Sequence, residues 1–308
     1  MAVGLPGDSC CHEKSNLMPK ILITGSNGLL GSTFVPLLDL PEYEVKTHAR
    51  SGSANFYADL SVRQDTYDLL DQAQPDVIVN LVGLTDVDRC EAEPNSAYLT
   101  NVRTVHNIVS WVKTTGRQCH IVQISTDHVY DGNLPHLEEE MQLTNYYAFS
   151  KYAGELAAAN IPSTILRTNF FGRSQCEKKQ GLTDWLFRAL SNDESIQVFD
   201  DVLFSPLSMT TLAKLMNLVL QVKPIGVFNL GSRNGMSKAD FAFTFAGELG
   251  LPTKSMMRVR SDQVTFRSTY RPKDMRMDSS KFEKRFGIDL PSLEREIGVV
   301  AREYHEKA

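Results

Sequence analysis

The chain reads as an α/β protein, a doubly wound parallel sheet followed by a smaller C-terminal α/β lobe. Three observations predict this. Short apolar runs alternate with segments of helical apolar spacing up to residue 168, the first run ends in a glycine-rich turn, and beyond Arg167 the alternation loosens. Parallel strands need crossover connections, and right-handed crossovers lay helices on both faces of a sheet. With 308 residues, 42% hydrophobic and 22% charged, the chain can bury one large or two modest cores.

Taken in order, Lys20–Thr24 is an apolar run ending at Gly25 and predicts the first strand. Leu29–Leu38 follows with helical spacing, bent or shortened at Pro36. Further strands are predicted at Glu44–Thr47, Val77–Val82, His120–Ser125 and Thr164–Thr168, separated by helices at Ser61–Gln74, Asn95–Thr115 and Tyr146–Asn160. Residues 18–168 thus form a Rossmann-like domain. Helices at Gly181–Leu190, Thr210–Val222 and Lys238–Leu249, with strands at Ile196–Phe199 and Val227–Leu230, predict that 169–308 is mainly a separate lobe, some of whose segments can return to the sheet. Residues 1–17, polar and carrying Cys10-Cys11-His12, are expected to be a disordered extension.

Bulk properties narrow the partners. A net charge of −5 and no basic run beyond Lys178-Lys179 argue against nucleic acid and for a small molecule. No segment approaches the roughly 20 apolar residues of a membrane span, and no apolar signal core is present, so a cytoplasmic location is expected. Cys10, Cys11, Cys90, Cys119 and Cys176 are odd in number and scattered, so reduced thiols are expected. His106, His120 and His136 lack paired ligand spacing, and no metal is predicted.

The turn after the first strand is Gly25-Ser26-Asn27-Gly28-Leu29-Leu30-Gly31, with G-x-x-G-x-x-G spacing between strand and helix. Such glycines allow a tight turn, a close approach of pyrophosphate to the backbone, and close helix packing, while free N–H groups at the helix start face the phosphates. A dinucleotide is predicted. At the end of the second strand Lys46-Thr47-His48-Ala49-Arg50-Ser51 offers no carboxylate for ribose hydroxyls. Arg50, helped by Ser51 or His48, would instead meet a 2′-phosphate, which favours NADP(H) and keeps NAD(H) as the alternative.

Tyr147 and Lys151 stand four apart at the start of a predicted helix, where they share a face. The preceding strand ends in Ser125-Thr126-Asp127, where a parallel sheet places its chemistry. A phenol is a poor acid–base group near neutrality unless a cation stabilises its phenolate, and Lys151 is that partner. Thr126 or Ser125 would hold a substrate carbonyl while Tyr147 protonates the developing alkoxide. Tyr146 has Ser150 four residues on and reads as a packing residue or part of a substrate wall.

Together these motifs resemble the extended short-chain dehydrogenase/reductases, and within them the dTDP-4-dehydrorhamnose reductase family, from about Pro19 to the C-terminus. The more specific marks are Ser125-Thr126-Asp127-His128-Val129-Tyr130-Asp131-Gly132, then Asn145, Tyr147, Lys151, Gly154 and Glu155. Arg167-Thr168, Asp201 through Ser205-Pro206, and Arg271-Pro272 through Arg276-Met277-Asp278 extend the likeness. The resemblance implies that Thr126, Tyr147 and Lys151 are catalytic, that Asp127 and Arg271 belong to the substrate side, and that Phe170 faces the sugar ring. It puts Gly28-Leu29-Leu30 at the pyrophosphate, Asp59-Leu60 at the adenine, and Leu81-Val82-Gly83 at the nicotinamide ribose. Departures are Ala148 after the tyrosine, a shorter stretch between Gly132 and Asn145, and Ser32-Thr33 where some members carry a magnesium-binding glutamate.

The implied activity is NADPH-dependent reduction of the 4-keto group of a nucleoside-diphosphate 4-keto-6-deoxy sugar, as in dTDP-rhamnose formation, with a homodimer as the implied assembly. Two alternatives share the motifs. One is a non-catalytic NADP-binding regulatory subunit similar to the beta subunit of methionine adenosyltransferase. The other is a different extended reductase, epimerase or dehydratase on a nucleotide sugar; Asp127 suits dehydration, but His128 stands where many dehydratases carry glutamate.

Overall fold

The computed structural model describes residues 18–38, 40–133, 135–176, 179–264 and 269–305; the extension with Cys10-Cys11-His12 lies outside them. Seven parallel strands form the main sheet: β1 (Lys20–Thr24), β2 (Glu44–Ala49), β3 (Phe56–Tyr57), β4 (Val77–Asn80), β5 (His120–Thr126), β6 (Ser163–Thr168) and β7 (Gly226–Leu230). Their spatial order is β7-β6-β5-β4-β1-β2-β3. The order reverses between β1 and β4, and in such sheets the crevice at the reversal, outside the carboxyl ends, is where ligands bind.

Alternation along the strands decides what each face covers. Ile21, Ile23, Val79, Val122 and Leu166 join one core with Leu212, Met216 and Val219 of the Met209–Val222 helix. Leu22, Ile78, Ile121 and Ile165 point the other way, onto Leu70, Ile108 and Trp111. Both faces are buried, so the strands read as continuous apolar runs. A ladder of amides crosses the sheet between β1, β4 and β5: Thr24 Oγ1 donates to Asn80 Oδ1 at 2.7 Å, and Asn80 Nδ2 to Gln123 Oε1 at 2.8 Å.

Several expectations shift. Pro36 lies in a 3-10 turn, Val35–Leu37, so the first helix is only Leu29–Phe34. The predicted helix over 95–115 is split into Pro94–Tyr98, a π-helical turn at Leu99–Arg103, and Thr104–Thr115. Val227–Leu230 belongs to β7, paired in parallel with β6 and not within the lobe, because its inward Phe228 and Leu230 complete the main core. The strand over 77–82 stops at Asn80, whose side chain takes up the N–H of Val82 at 3.3 Å.

The Met209–Val222 helix, expected in the lobe, packs on the main core with Phe282 and Leu290, while Phe171, Phe204, Phe241, Phe245, Ile297 and Tyr304 meet in a second core. Its last helix, Leu293–His305, was not anticipated, although its apolar residues recur at helical spacing. Among the described residues no helix is long and apolar enough to cross a membrane. No group of three or more His, Cys, Asp or Glu side chains among them is arranged to hold a metal.

Candidate active site

The glycine turn is built from backbone. Gly25, at φ +75°, donates its N–H to the His48 carbonyl at 2.9 Å, and Ser26 does so at 3.0 Å, tying the turn to the end of β2. A Cβ on Gly31 would lie 2.5 Å from the Ser26 carbonyl oxygen, so only glycine lets the helix sit this close. Gly28 caps the helix without a side chain, leaving the first-turn N–H groups free of any side-chain cap.

A cleft of about 300 Å³ opens over this turn. Gly25, Asn27, Gly28, Arg50, Ser51, Asp59, Leu60, Leu81, Val82 and Gly83 all line it, gathered from the ends of β1, β2 and β4 and the segment after β3. Leu30 is instead turned into the main core and Leu29 packs against it, so at these positions only backbone can serve a ligand. Asp59 accepts from the hydroxyl and the N–H of Ser61, at 2.7 and 3.0 Å, and these bonds hold its carboxyl below the usual range. His48 is buried: its ring contacts the Ala58 carbonyl at 3.1 Å and burial lowers its pKa, so it supports the turn from below. His48 nevertheless lines the same cleft as Arg50 and Ser51.

Thr126, Tyr147 and Lys151 meet at the carboxyl end of β5. Asn145 caps the Tyr146–Ala158 helix by accepting from the Ala148 N–H at 2.9 Å, which aims its first turn at β5. The Thr126 hydroxyl acts to lower the pKa of the Tyr147 phenol, but burial outweighs it and pushes the value above the ordinary range. Ser125, the alternative carbonyl holder, is turned away and donates to Glu155. Lys151 Nζ donates to the Ile124 carbonyl at 2.7 Å, and burial brings its pKa down to about 8. The ammonium is thus anchored on the strand, and burial is the largest cause of the phenol's shift. A Cβ placed on Gly83 would be 3.6 Å from Lys151 Nζ, so the cleft and the Tyr146–Ala158 helix adjoin.

The expected substrate residues are placed unevenly. Asp127, 1% exposed, accepts from Asn169 Nδ2 at 2.7 Å, and burial raises its pKa to about 6. Arg271 pairs with Asp88 at 2.6 Å, and its charge, with that of Lys238, reaches His128. The His128 ring stands edge-on to Tyr147 at 5.3 Å and is held neutral, mainly by burial, at about 3. Phe170 is half-buried against the main core, so any face it offers a sugar is the remaining half. Tyr146 packs beside Phe149 at 5.7 Å, as expected of the non-catalytic phenol.

Sequence reasoning missed Asn101, Asn169, Lys238, Cys176 and Lys179. Asn101 Nδ2 donates to Leu84 O at 3.0 Å and to Ser150 Oγ at 2.9 Å, pinning the segment after β4 to the Tyr146–Ala158 helix. It stands in the π-helical turn, a distortion that clusters at functional sites and leaves no local mark in sequence.

A family model described as the RmlD substrate binding domain matches residues 19–306. The chain belongs to the RmlD substrate binding domain family. Among its relatives, a dTDP-4-dehydrorhamnose reductase of Sinorhizobium fredii is 30% identical over 89% of this chain and 94% of its own length. The beta subunit of methionine adenosyltransferase 2 of Rattus norvegicus is 24% identical over 91% of this chain and 86% of its own. A dTDP-4-dehydrorhamnose reductase of Bacillus anthracis, solved in complex with NADP, superposes with a TM-score of 0.83, covering 93% of this chain and 100% of that one at 22% identity. This RmlD-family chain therefore aligns over about nine-tenths of its length with proteins of both kinds.

Proposed function

We propose that the chain is an NADPH-dependent reductase of the 4-keto group of a nucleoside-diphosphate 4-keto-6-deoxy sugar. The carrying observation is the junction of Thr126, Tyr147 and Lys151 with the Gly83 edge of the cleft at the sheet's reversal point. The residues present fit a dinucleotide, with a side-chain-free turn for the pyrophosphate, Arg50 for a 2′-phosphate and Asp59-Leu60 beside the adenine. When bound, NADPH supplies the hydride. Thr126 orients the substrate carbonyl, Tyr147 keeps its proton through burial and delivers it to the developing alkoxide, and Lys151 is held by Ile124 O to meet a ribose hydroxyl.

The kinship with a methionine adenosyltransferase beta subunit supports a second reading, an NADP-binding regulatory subunit. Incubation with NADPH and enzymatically made dTDP-4-dehydrorhamnose separates the two. Turnover is expected, and Tyr147→Phe should lower kcat by about 10²-fold or more while changing NADPH affinity less than about twofold. A wild type that binds NADPH without turnover would favour the regulatory role. Retention of most activity by Tyr147→Phe would remove the phenol from the mechanism.

A further inference from the structure

We propose that Lys179 is a second cation for the cofactor's 2′-phosphate, acting with Arg50, so that the segment following β6 helps to select NADPH over NADH. The inference rests on the cleft's being the dinucleotide site. Lys179 and Cys176 line that cleft, although both lie far along the chain from the glycine turn and from β2. The path of contacts tells which end of the cleft they serve. Cys176 Sγ lies 3.3 Å from the Asn27 carbonyl, and Asn27 Nδ2 donates to the Ser51 carbonyl at 2.7 Å. The segment bearing Lys179 is thereby joined through Asn27 to the residue that follows Arg50.

Charge supports the same placement. Arg50 and Lys179 are the cations lining the cleft and Asp59 is its acid, with Asp59 Oδ1 already engaged by Ser61. Neither cation has an ion-pair partner among the described residues, both are exposed, and the whole chain carries a net −5. A phosphate monoester near neutrality carries close to two negative charges, so one arginine leaves it partly uncompensated. A second cation there discriminates, because NADH presents only a hydroxyl at that position.

Hydrogen bonds tie down the Lys179 carbonyl and the described residues on either side of it. Ser174 Oγ lies 2.6 Å from the Lys179 carbonyl and accepts from the Cys176 N–H at 3.0 Å. Outside this, the N–H groups of Ser174 and Gly181 both donate to the Asp184 carboxylate, at 3.2 and 2.8 Å. Arg173 Nη1 donates to the Glu303 carbonyl at 2.9 Å. Asp184 and Glu303 stand on the Leu182–Ser191 and Leu293–His305 helices, which pack in the second core, so the lobe presents a charge to a ligand held by the sheet.

The test is calorimetric titration of the full chain with NADPH and with NADH, for wild type, Lys179→Gln, Arg50→Gln and the double variant. Lys179→Gln should weaken NADPH about tenfold and NADH less than about twofold, the size expected for one charge-assisted contact at an exposed phosphate. The double variant should lose the preference for NADPH. Raising the salt should weaken NADPH more in wild type than in Lys179→Gln. Equal loss for both cofactors in Lys179→Gln would put the lysine on the pyrophosphate and overturn the proposal, as would no loss at all. A wild type that binds neither cofactor would instead bring down the dinucleotide reading itself, and the exposed glutamine variant is not expected to disturb folding.

Discussion

Asp127 shows how a single residue can mark a functional site by its cost. It is 1% exposed, and two donors, Asn169 Nδ2 and Thr126 Oγ1, do not offset its burial, which raises its pKa from 3.8 to about 6. Because the folded value is the higher one, the native state is relatively favoured below pH 3.8, and that advantage is lost as pH rises through 6. Asp127→Asn should therefore stabilise the protein above pH 6, by up to about 3 kcal/mol, with the gain vanishing near pH 4. Urea midpoints at the two pH values check this, and an Asn variant no more stable at pH 8 than wild type would sink it. At this scale Thr126, Tyr147 and Lys151 were legible because strand end and helix start are local patterns. Lys179 and Asn169 were not, because nothing near them in sequence announces a cleft assembled from distant segments.

Among the elements, β5, β6 and the Tyr146–Ala158 helix are locked by one buried pair. Glu155 and Arg167 are each 2% exposed and meet at 2.7 Å, while Ser125 donates to Glu155. Arg167 also donates to Tyr130 Oη at 2.8 Å, and Tyr130 in turn to Asn229 Oδ1 of β7 at 2.6 Å. Removing one member leaves a buried charge without its partner, so Glu155→Ala should cost about 3–5 kcal/mol, and the paired change Glu155→Leu with Arg167→Met markedly less. Thermal unfolding of the three proteins tests the order; a double variant as unstable as the single one would contradict it. Strand and helix order up to β6 could be read from alternation, apart from the two-residue β3 and the six-residue Val87–Ala92 helix, both too short to show a period. The place of β7 could not, because a run as short as Val227-Phe228-Asn229-Leu230 fits a lobe strand or a sheet edge equally well. The Leu293–His305 helix was readable from Leu293, Ile297, Val300 and Tyr304, whose spacing is helical.

For the whole molecule the question is whether sheet and lobe melt together. The seam is the two-residue strand Phe170–Phe171, paired with Leu207–Ser208. Successive strand side chains point to opposite faces, and Phe170 accordingly packs on the main core while Phe171, 3% exposed, enters the lobe core. Glu296 reinforces the seam from the last helix: its carboxylate accepts from the Ser208 N–H at 2.6 Å and from Thr211 Oγ1 at 3.0 Å, at the start of a helix belonging to the main core. Neither core can open without stranding polar groups of the other, and a buried unpaired N–H costs about 1–3 kcal/mol. Trp111 lies in the sheet's core and Trp185 against the lobe's, and they are the chain's two tryptophans. In Trp185→Phe the fluorescence reports the sheet alone, and its urea midpoint should coincide with that of far-UV circular dichroism in the same variant. Glu296→Ala should separate the two by loosening the seam, with the dichroism losing lobe signal before Trp111 is exposed. Two separate transitions already in Trp185→Phe would show that the lobe folds independently and that the contacts at Phe171 and Glu296 do not couple it to the sheet.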